Sequence, residues 1–226
     1  MSSSGADDNY AVTPTDNRAV PGDLRPHRAR YEFVDAAGRD AGEERMTIGR
    51  RPGGWIATSH LEMALPDALT SDIEWHLEED LSTHVIYIST TDHWGQEYYL
   101  EAAVTGNGFI ASREGADGPT QVEMGWGPDV ELDHVSACFT TVLLARWDVA
   151  STPRRQVTSV YIPAEDLLPE PLDQEYRVID RSASLTRVER LVPATGSRAE
   201  ISVVPGGLVQ RYEGLFSLAG DWAYTD

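Results

Sequence analysis

The chain has 226 residues, 41% of them hydrophobic, and six Trp, nine Tyr and four Phe supply bulky material for a substantial core. A formal charge of −19 opposes general binding to nucleic acid or to an anionic membrane, because phosphate would be repelled. Cys138 is the only cysteine, which excludes an intramolecular disulfide framework and a cysteine zinc cluster.

Asp and Glu are spread along the chain rather than gathered in a tail, the pattern of a solvated surface. Residues 1–26 are rich in Ser, Asp, Asn, Thr, Pro and Gly without hydrophobic periodicity, so a flexible N-terminal tail is expected there. The opening MSSSGADDNYAV has neither the basic nor the apolar region of a signal peptide, and no apolar run is long enough to span a bilayer. A cytoplasmic protein without integral membrane contact is the expectation.

From His27 the pattern changes to short strand-like runs. YEFVDAAGRDAGEERMTI reads as two strands around a turn at Gly38, and PGGW marks the next turn before the run Ile56 to Met63. In SDIEWHLEEDL, Ile73, Trp75 and Leu77 alternate with Asp72, Glu74, His76 and Glu78, the period of a half-buried strand. THVIYISTT and QEYYLEAAV follow around the turn DHWG, then NGFIASREG with a tight turn at Asn107–Gly108. DVELD is the next strand. Ser136 to Ala145 is the one plausible helix, with Ser136 as its cap, although Thr140, Thr141 and Val142 are weak helix formers. RQVTSVYIP, QEYRVIDRS, SLTRVERLV, RAEISVV and GLVQRYEGLF return to β-branched and aromatic runs punctuated by Pro and Gly. The sum is one mainly β, antiparallel domain over 27–220, followed by a C-terminal tail, 221–226.

The chemical candidates are sparse. Asp129, Glu131 and Asp133 share one face of their strand, with Val130 and Leu132 on the other. With His134 they are the only set from which a carboxylate-dependent hydrolase could be assembled, and a solvated strand face is the simpler reading. No histidine spacing suits zinc, no oxygen-ligand loop suits calcium, and neither a GxSxG elbow nor a phosphate loop occurs. His76, between Glu74 and Glu78, reads as part of a surface ion-pair ladder. Cys138 lies near the start of the helix with His134 four residues earlier, yet a buried inert thiol is the commoner outcome. No catalytic residue, metal or cofactor is assigned. The aromatics Trp55, Trp75, Tyr87, Tyr98, Trp126, Phe139, Tyr161, Tyr176 and Tyr212 lie in or beside strands, either as ordinary core or as the lining of an apolar pocket.

WGPDVELDHVSACFTTVLLARW resembles the central block of the putative glycolipid-binding domain family, a Gly-x-x-Asp-Val-Asp-Leu run followed by a Thr-rich apolar segment with an Arg near its end. ISVVPGGLVQRYEGLF is similar to that family's C-terminal block, YIPAEDLLPEPLDQEYRVID to its proline-punctuated connector, and IEWHLEEDLSTHVIYI to its early strand pair. Glu131 stands where the family carries its second Asp. The resemblance covers roughly Arg28 to Leu218 and implies a spiral β-roll, a long antiparallel sheet curled around an apolar interior with little helix.

A non-enzymatic binding module for an amphipathic, glycolipid-like ligand inside or at the mouth of the roll is therefore expected. Its ligand residues would be Trp55, Trp75, Tyr87, Trp126, Phe139, Tyr161, Tyr176 and Tyr212. Asp129, Glu131, Asp133, Thr141 and Arg146 are the polar and structural set, and Asp129 or Asp133 is expected to pair with Arg146. The alternatives are the hydrolase, and a structural or interaction protein with a filled interior. Open apolar volume beside Trp75 and Trp126 would favour the binding module. An exposed sheet edge would also allow a homodimer.

Overall fold

The computed structural model describes residues 24–64, 68–128, 130–147, 152–220 and 222–225. Eight strands run in sequence, β1 (His27–Val34), β2 (Asp40–Arg51), β3 (Gly54–Met63), β4 (Leu69–Leu77), β5 (Thr83–Asp92), β6 (Glu97–Thr105), β7 (Gly108–Glu114) and β8 (Thr120–Gly125). After β9 (Val130–Asp133) comes the helix α1 (Ala137–Arg146). The strands β10 (Arg154–Tyr161), β11 (Glu170–Arg181), β12 (Thr186–Val192), β13 (Ser197–Val203), β14 (Val209–Tyr212), β15 (Phe216–Leu218) and β16 (Ala223–Tyr224) complete the chain.

All of these strands join one sheet, ordered β8-β7-β6-β5-β4-β3-β2-β1-β15-β14-β13-β12-β11-β10-β9, with β16 against β1. The chain starts at the middle, winds out to one edge as a meander, crosses to the other edge and winds back until β15 meets β1. A flat sheet of that order would be about 65 Å wide at ~4.8 Å per strand. Residues 126–129 join its two edge strands and reach no more than about 17 Å, so the sheet must curl until its edges approach one another. The antiparallel β-roll follows from this connectivity. Only β9 and β10 pair in parallel, Thr158 opposite Val130, because the chain between them passes through α1 instead of a hairpin.

The turns follow local chemistry. The Asp35 carboxylate accepts the N–H groups of Ala37 (2.8 Å) and Arg39 (2.9 Å), and Gly38 takes φ +74°. Asp92 does the same for Trp94 and Gln96 in DHWG, both at 2.9 Å. Thr105 pairs with Gly108, so the tight turn is Gly106–Asn107, one residue earlier than Asn107–Gly108, because Gly106 readily supplies the positive φ at its first position.

Leu24 is buried, and the Arg25 N–H donates to the Gly206 carbonyl at 3.2 Å, so the docked chain begins before His27. The rest of the expected N-terminal tail, residues 1–23, lies outside the described residues. At the other terminus, Ala223 and Tyr224 pair with Arg28 and His27 where a tail was expected. Two apolar side chains, Val122 and Met124, make TQVEMG a weak signal, yet it is the edge strand β8.

The helix lies inside the roll. Residues 137–145 are all buried, so α1 is enclosed around its whole circumference. Thr140, Thr141 and Val142 are poor helix formers, but an interior segment without a strand partner must satisfy its own backbone, and a helix does so. Ser136 caps it, accepting the Cys138 N–H at 3.1 Å.

Candidate functional site

The interior of the roll or its mouth is the expected ligand site, and α1 occupies the interior. Phe139 stacks on Trp75 with ring centroids 4.7 Å apart, and Trp55, Trp75 and Phe139 are all buried core. Open apolar volume beside Trp75 is thereby replaced by a side chain. Glu44, on the inner face of β2, docks the helix. Its carboxylate accepts the hydroxyls of Ser59 and Ser136, both at 2.6 Å, and the backbone N–H groups of Ala137 (2.7 Å) and Cys138 (3.4 Å). Complete burial raises its pKa despite these four donors. The same carboxylate cancels the positive end of the helix, and burial pushes the Cys138 thiol well above its usual range, the opposite of what a nucleophile needs.

The acids of β9 are held by arginines. Glu131 is buried and pairs with Arg146 and, at 2.6 Å, with Arg155. Asp133 pairs with Arg190 at 3.2 Å and accepts from Gln174, which also receives the Tyr176 hydroxyl. The expected partner of Arg146 is thus corrected from Asp133 to Glu131. Glu131 lies opposite Ser159 in the ladder and Asp133 opposite Tyr161, so the two acids reach different arginines. Asp129, the other acid proposed for Arg146, lies outside the described residues.

Tyr161, Tyr176 and Tyr212 gather with Asp133 around Arg190. Burial pushes the phenols of Tyr161 and Tyr212 up to about 12 and that of Tyr176 well above its usual value, so all three remain donors. His134 is buried, its Nδ1 2.7 Å from the Ile162 carbonyl, and burial lowers its pKa. Asp133, Arg190, Gln174 and Tyr176 are thus mutually paired, whereas the buried His134 Nε2 and Ser159 hydroxyl have no hydrogen-bond partner among the described residues. Arg190 and Gln174 were not singled out from the sequence, since their partners lie 57 and 41 residues away. Thr141 is buried within α1, and Trp126 is half-buried with its ring stacked on Phe109 at 5.7 Å.

The remaining aromatic, Tyr87, lies on the outer face. Strand register places two ladders side by side there. One runs His60, Asp72, Ser89, Tyr99 and Glu114; the next runs Thr58, Glu74, Tyr87, Glu101 and Ser112. Together they line an open groove of about 610 Å³. Tyr87 and Tyr99 are 42% and 48% exposed, so both rings are partly open to solvent. His60 bridges Asp72 (2.7 Å) and Glu62 (3.0 Å), and His76 holds Glu74 at 2.6 Å, while Glu78 pairs with His84 instead of His76. Among the described residues the side chains of Glu101 and Glu114 make no ion pair or hydrogen bond, leaving two carboxylates in the groove as free acceptors.

Hydrogen bonding to Asp72 and then Glu62 raises the His60 pKa. An NMR titration should find His60 titrating above 6.5, and Asp72→Asn should move it down. An unchanged midpoint in that variant would show that the pairing is not formed in solution.

A single sheet rolled around one buried helix, with its open groove on the outside, makes this a barrel-like β-roll protein. The chain belongs to the family described as putative glycolipid-binding, whose model matches residues 36–217. In fold it is similar to a DUF1089 family protein from Pseudomonas aeruginosa, with a TM-score of 0.55 and 20% identity, covering 77% of this chain and 91% of that one. It is also similar to a beta-barrel-like protein of the domain of unknown function DUF1849 from Brucella abortus, with a TM-score of 0.62 and 11% identity, covering 90% and 99%. A search of curated proteins found no match. Among the described residues no helix is long and apolar enough to cross a membrane.

Proposed function

We propose that the protein is a non-enzymatic binding module for a neutral, glycolipid-like amphiphile, and that the outer groove receives its polyhydroxyl head. The observation that carries this reading is the pairing of two exposed phenol rings with unengaged carboxylates in a 610 Å³ groove. That volume is within the ordinary range for small-molecule sites, roughly 300–1,000 Å³. Carboxylates only accept hydrogen bonds, so they suit sugar hydroxyls, and the flat phenol faces suit the C–H faces of a sugar ring. Arg45 and His60 also line the groove, but each is already paired with carboxylates, so a phosphate head would meet the excess of acids there and an overall charge of −19. The family's description supports the same ligand class. The interior is a poorer seat because α1 fills it, and the acids of β9 serve the architecture through their arginines.

The test is an NMR titration with dodecyl maltoside below its micelle concentration. Shifts should map to Tyr87, Ser89, Tyr99, Glu101 and Ser112. The double variant Tyr87→Ala, Tyr99→Ala should bind about tenfold more weakly or worse, a change of ~1.4 kcal/mol. Absence of binding would favour a purely structural protein. Equal binding of dodecyl phosphate would overturn the choice of a neutral head.

A further inference from the structure

We infer that an apolar row beside the groove takes the alkyl chain of the amphiphile whose head the groove holds; this rests on the groove reading above. The row is set by register. Ile56 pairs with His76, His76 with Val85, Val85 with Ala103, and Ala103 with Ile110, all on the outer face of β3 to β7. It sits two residues along each strand from the ladder containing Glu74, Tyr87 and Glu101, a displacement of about 7 Å. Across five strands it is about 19 Å long.

These side chains do not belong to the core. Along β3, β5 and β7 the inward positions are Trp55 and Ala57, Ile86 and Ile88, and Phe109 and Ala111, all buried. Ile56, Val85 and Ile110 alternate with them and point away. Ile110 is 37% exposed, and Ile56, Val85 and Ala103 are partly exposed. None of the four packs against the core cluster. The only polar member, His76, turns its Nε2 toward Glu74 at 2.6 Å and its ring edge-on to Tyr87 at 6.2 Å. Its polar atom therefore faces the groove ladder, consistent with a boundary between the polar and apolar bands.

The occupant follows from the two bands together. An apolar row left partly open to solvent on an outer sheet face marks a contact surface, and His76 is the single polar interruption of this one. Here it adjoins acid-lined ladders that suit hydroxyl donors and repel anions. A molecule complementary to both, at a spacing of about 7 Å, has a neutral polyol head joined directly to an alkyl chain. A protein partner would require apolar and hydroxyl-rich surface in the same narrow register, which a single-chain amphiphile supplies within one molecule.

The experiment compares maltose, hexyl maltoside and dodecyl maltoside, each below its micelle concentration, on the native protein and on the triple variant Ile56→Thr, Val85→Thr, Ile110→Thr. Threonine keeps β propensity at these outer positions, and the native melting temperature confirms the fold. Affinity of the native protein should rise with chain length. The triple variant should lose about tenfold or more for dodecyl maltoside and bind maltose as the native protein does. In the unmutated protein, the methyl signals of Ile56, Val85 and Ile110 should shift with dodecyl maltoside and stay still with maltose. If maltose binds in the groove but affinity is independent of chain length, the apolar track is overturned and the groove reading stands. If dodecyl maltoside binds through the methyl row while maltose leaves the groove residues unshifted, the track stands and the headgroup reading falls.

Discussion

Glu44→Ala should lower the stability of the protein by about 4–6 kcal/mol, because each buried donor left without an acceptor costs roughly 1–3 kcal/mol. Three donors lose their acceptor, the Ser59 and Ser136 hydroxyls and the Ala137 N–H, while the Cys138 N–H keeps the Ser136 hydroxyl at 3.1 Å. For a chain of this size that corresponds to a melting temperature lower by about 10–20 °C. Glu44→Gln keeps one acceptor oxygen and should lose roughly half as much. The carboxylate's folded pKa is raised above its unfolded value of 4.5 by burial. Its protonation therefore contributes stability that is fully present below pH 4.5 and lost as pH rises through the folded value. The advantage of the native protein over Glu44→Gln should accordingly be greatest in acid and shrink as pH rises. An Ala variant melting within a few degrees of the native protein would show that the helix is not anchored through this residue.

The second large effect is expected at Glu131. Glu131→Ala should cost about 3–5 kcal/mol, since it leaves two partly buried guanidiniums facing one another without the intervening charge. Arg146→Met alone should cost less, because Arg155 still pairs with Glu131 at 2.6 Å. The combined variant should be less destabilised than the sum of the two, as expected for residues sharing one network. Thermal unfolding of the three variants gives the coupling directly, and strict additivity would refute the shared network. Asp133→Asn, in contrast, should not change that coupling, because Asp133 belongs to Arg190 and Gln174.

Much of the sheet could be read along the chain because period-two alternation is a local property. SDIEWHLEEDL became β4 with Ile73, Trp75 and Leu77 inward, and DHWG and the turn at Gly38 fell where Asp and Gly chemistry placed them. Ser136 to Ala145 became a helix shifted by a single residue at each end. Strand β8 escaped notice because an edge strand facing solvent on one side needs few apolar residues.

The eight aromatics expected to line one pocket fall into separate places, and the reason is geometric. Alternation separates the residues of a strand into two sets without saying what each set meets. In IEWHL and VIYIS, Trp75 went inward against Phe139 while Tyr87 went outward to the groove. The outer groove is a product of six neighbouring strands in register, so none of its ladders exists as a motif.

Local pattern thus settled the strand content, the turns, the capped helix and the family likeness, all of which depend on residues within a few positions of one another. Tertiary structure alone decided that the helix fills the roll, that Glu44 meets Ser136 92 residues away, and that Arg146 chooses Glu131 over Asp133. It also decided that the helix lies within the interior and that an open groove forms on the exposed face of the sheet. Those outcomes depend on the curl and register of a sheet whose adjacent strands, β1 and β15, lie at opposite ends of the chain, and short-range periodicity carries no information about such pairings.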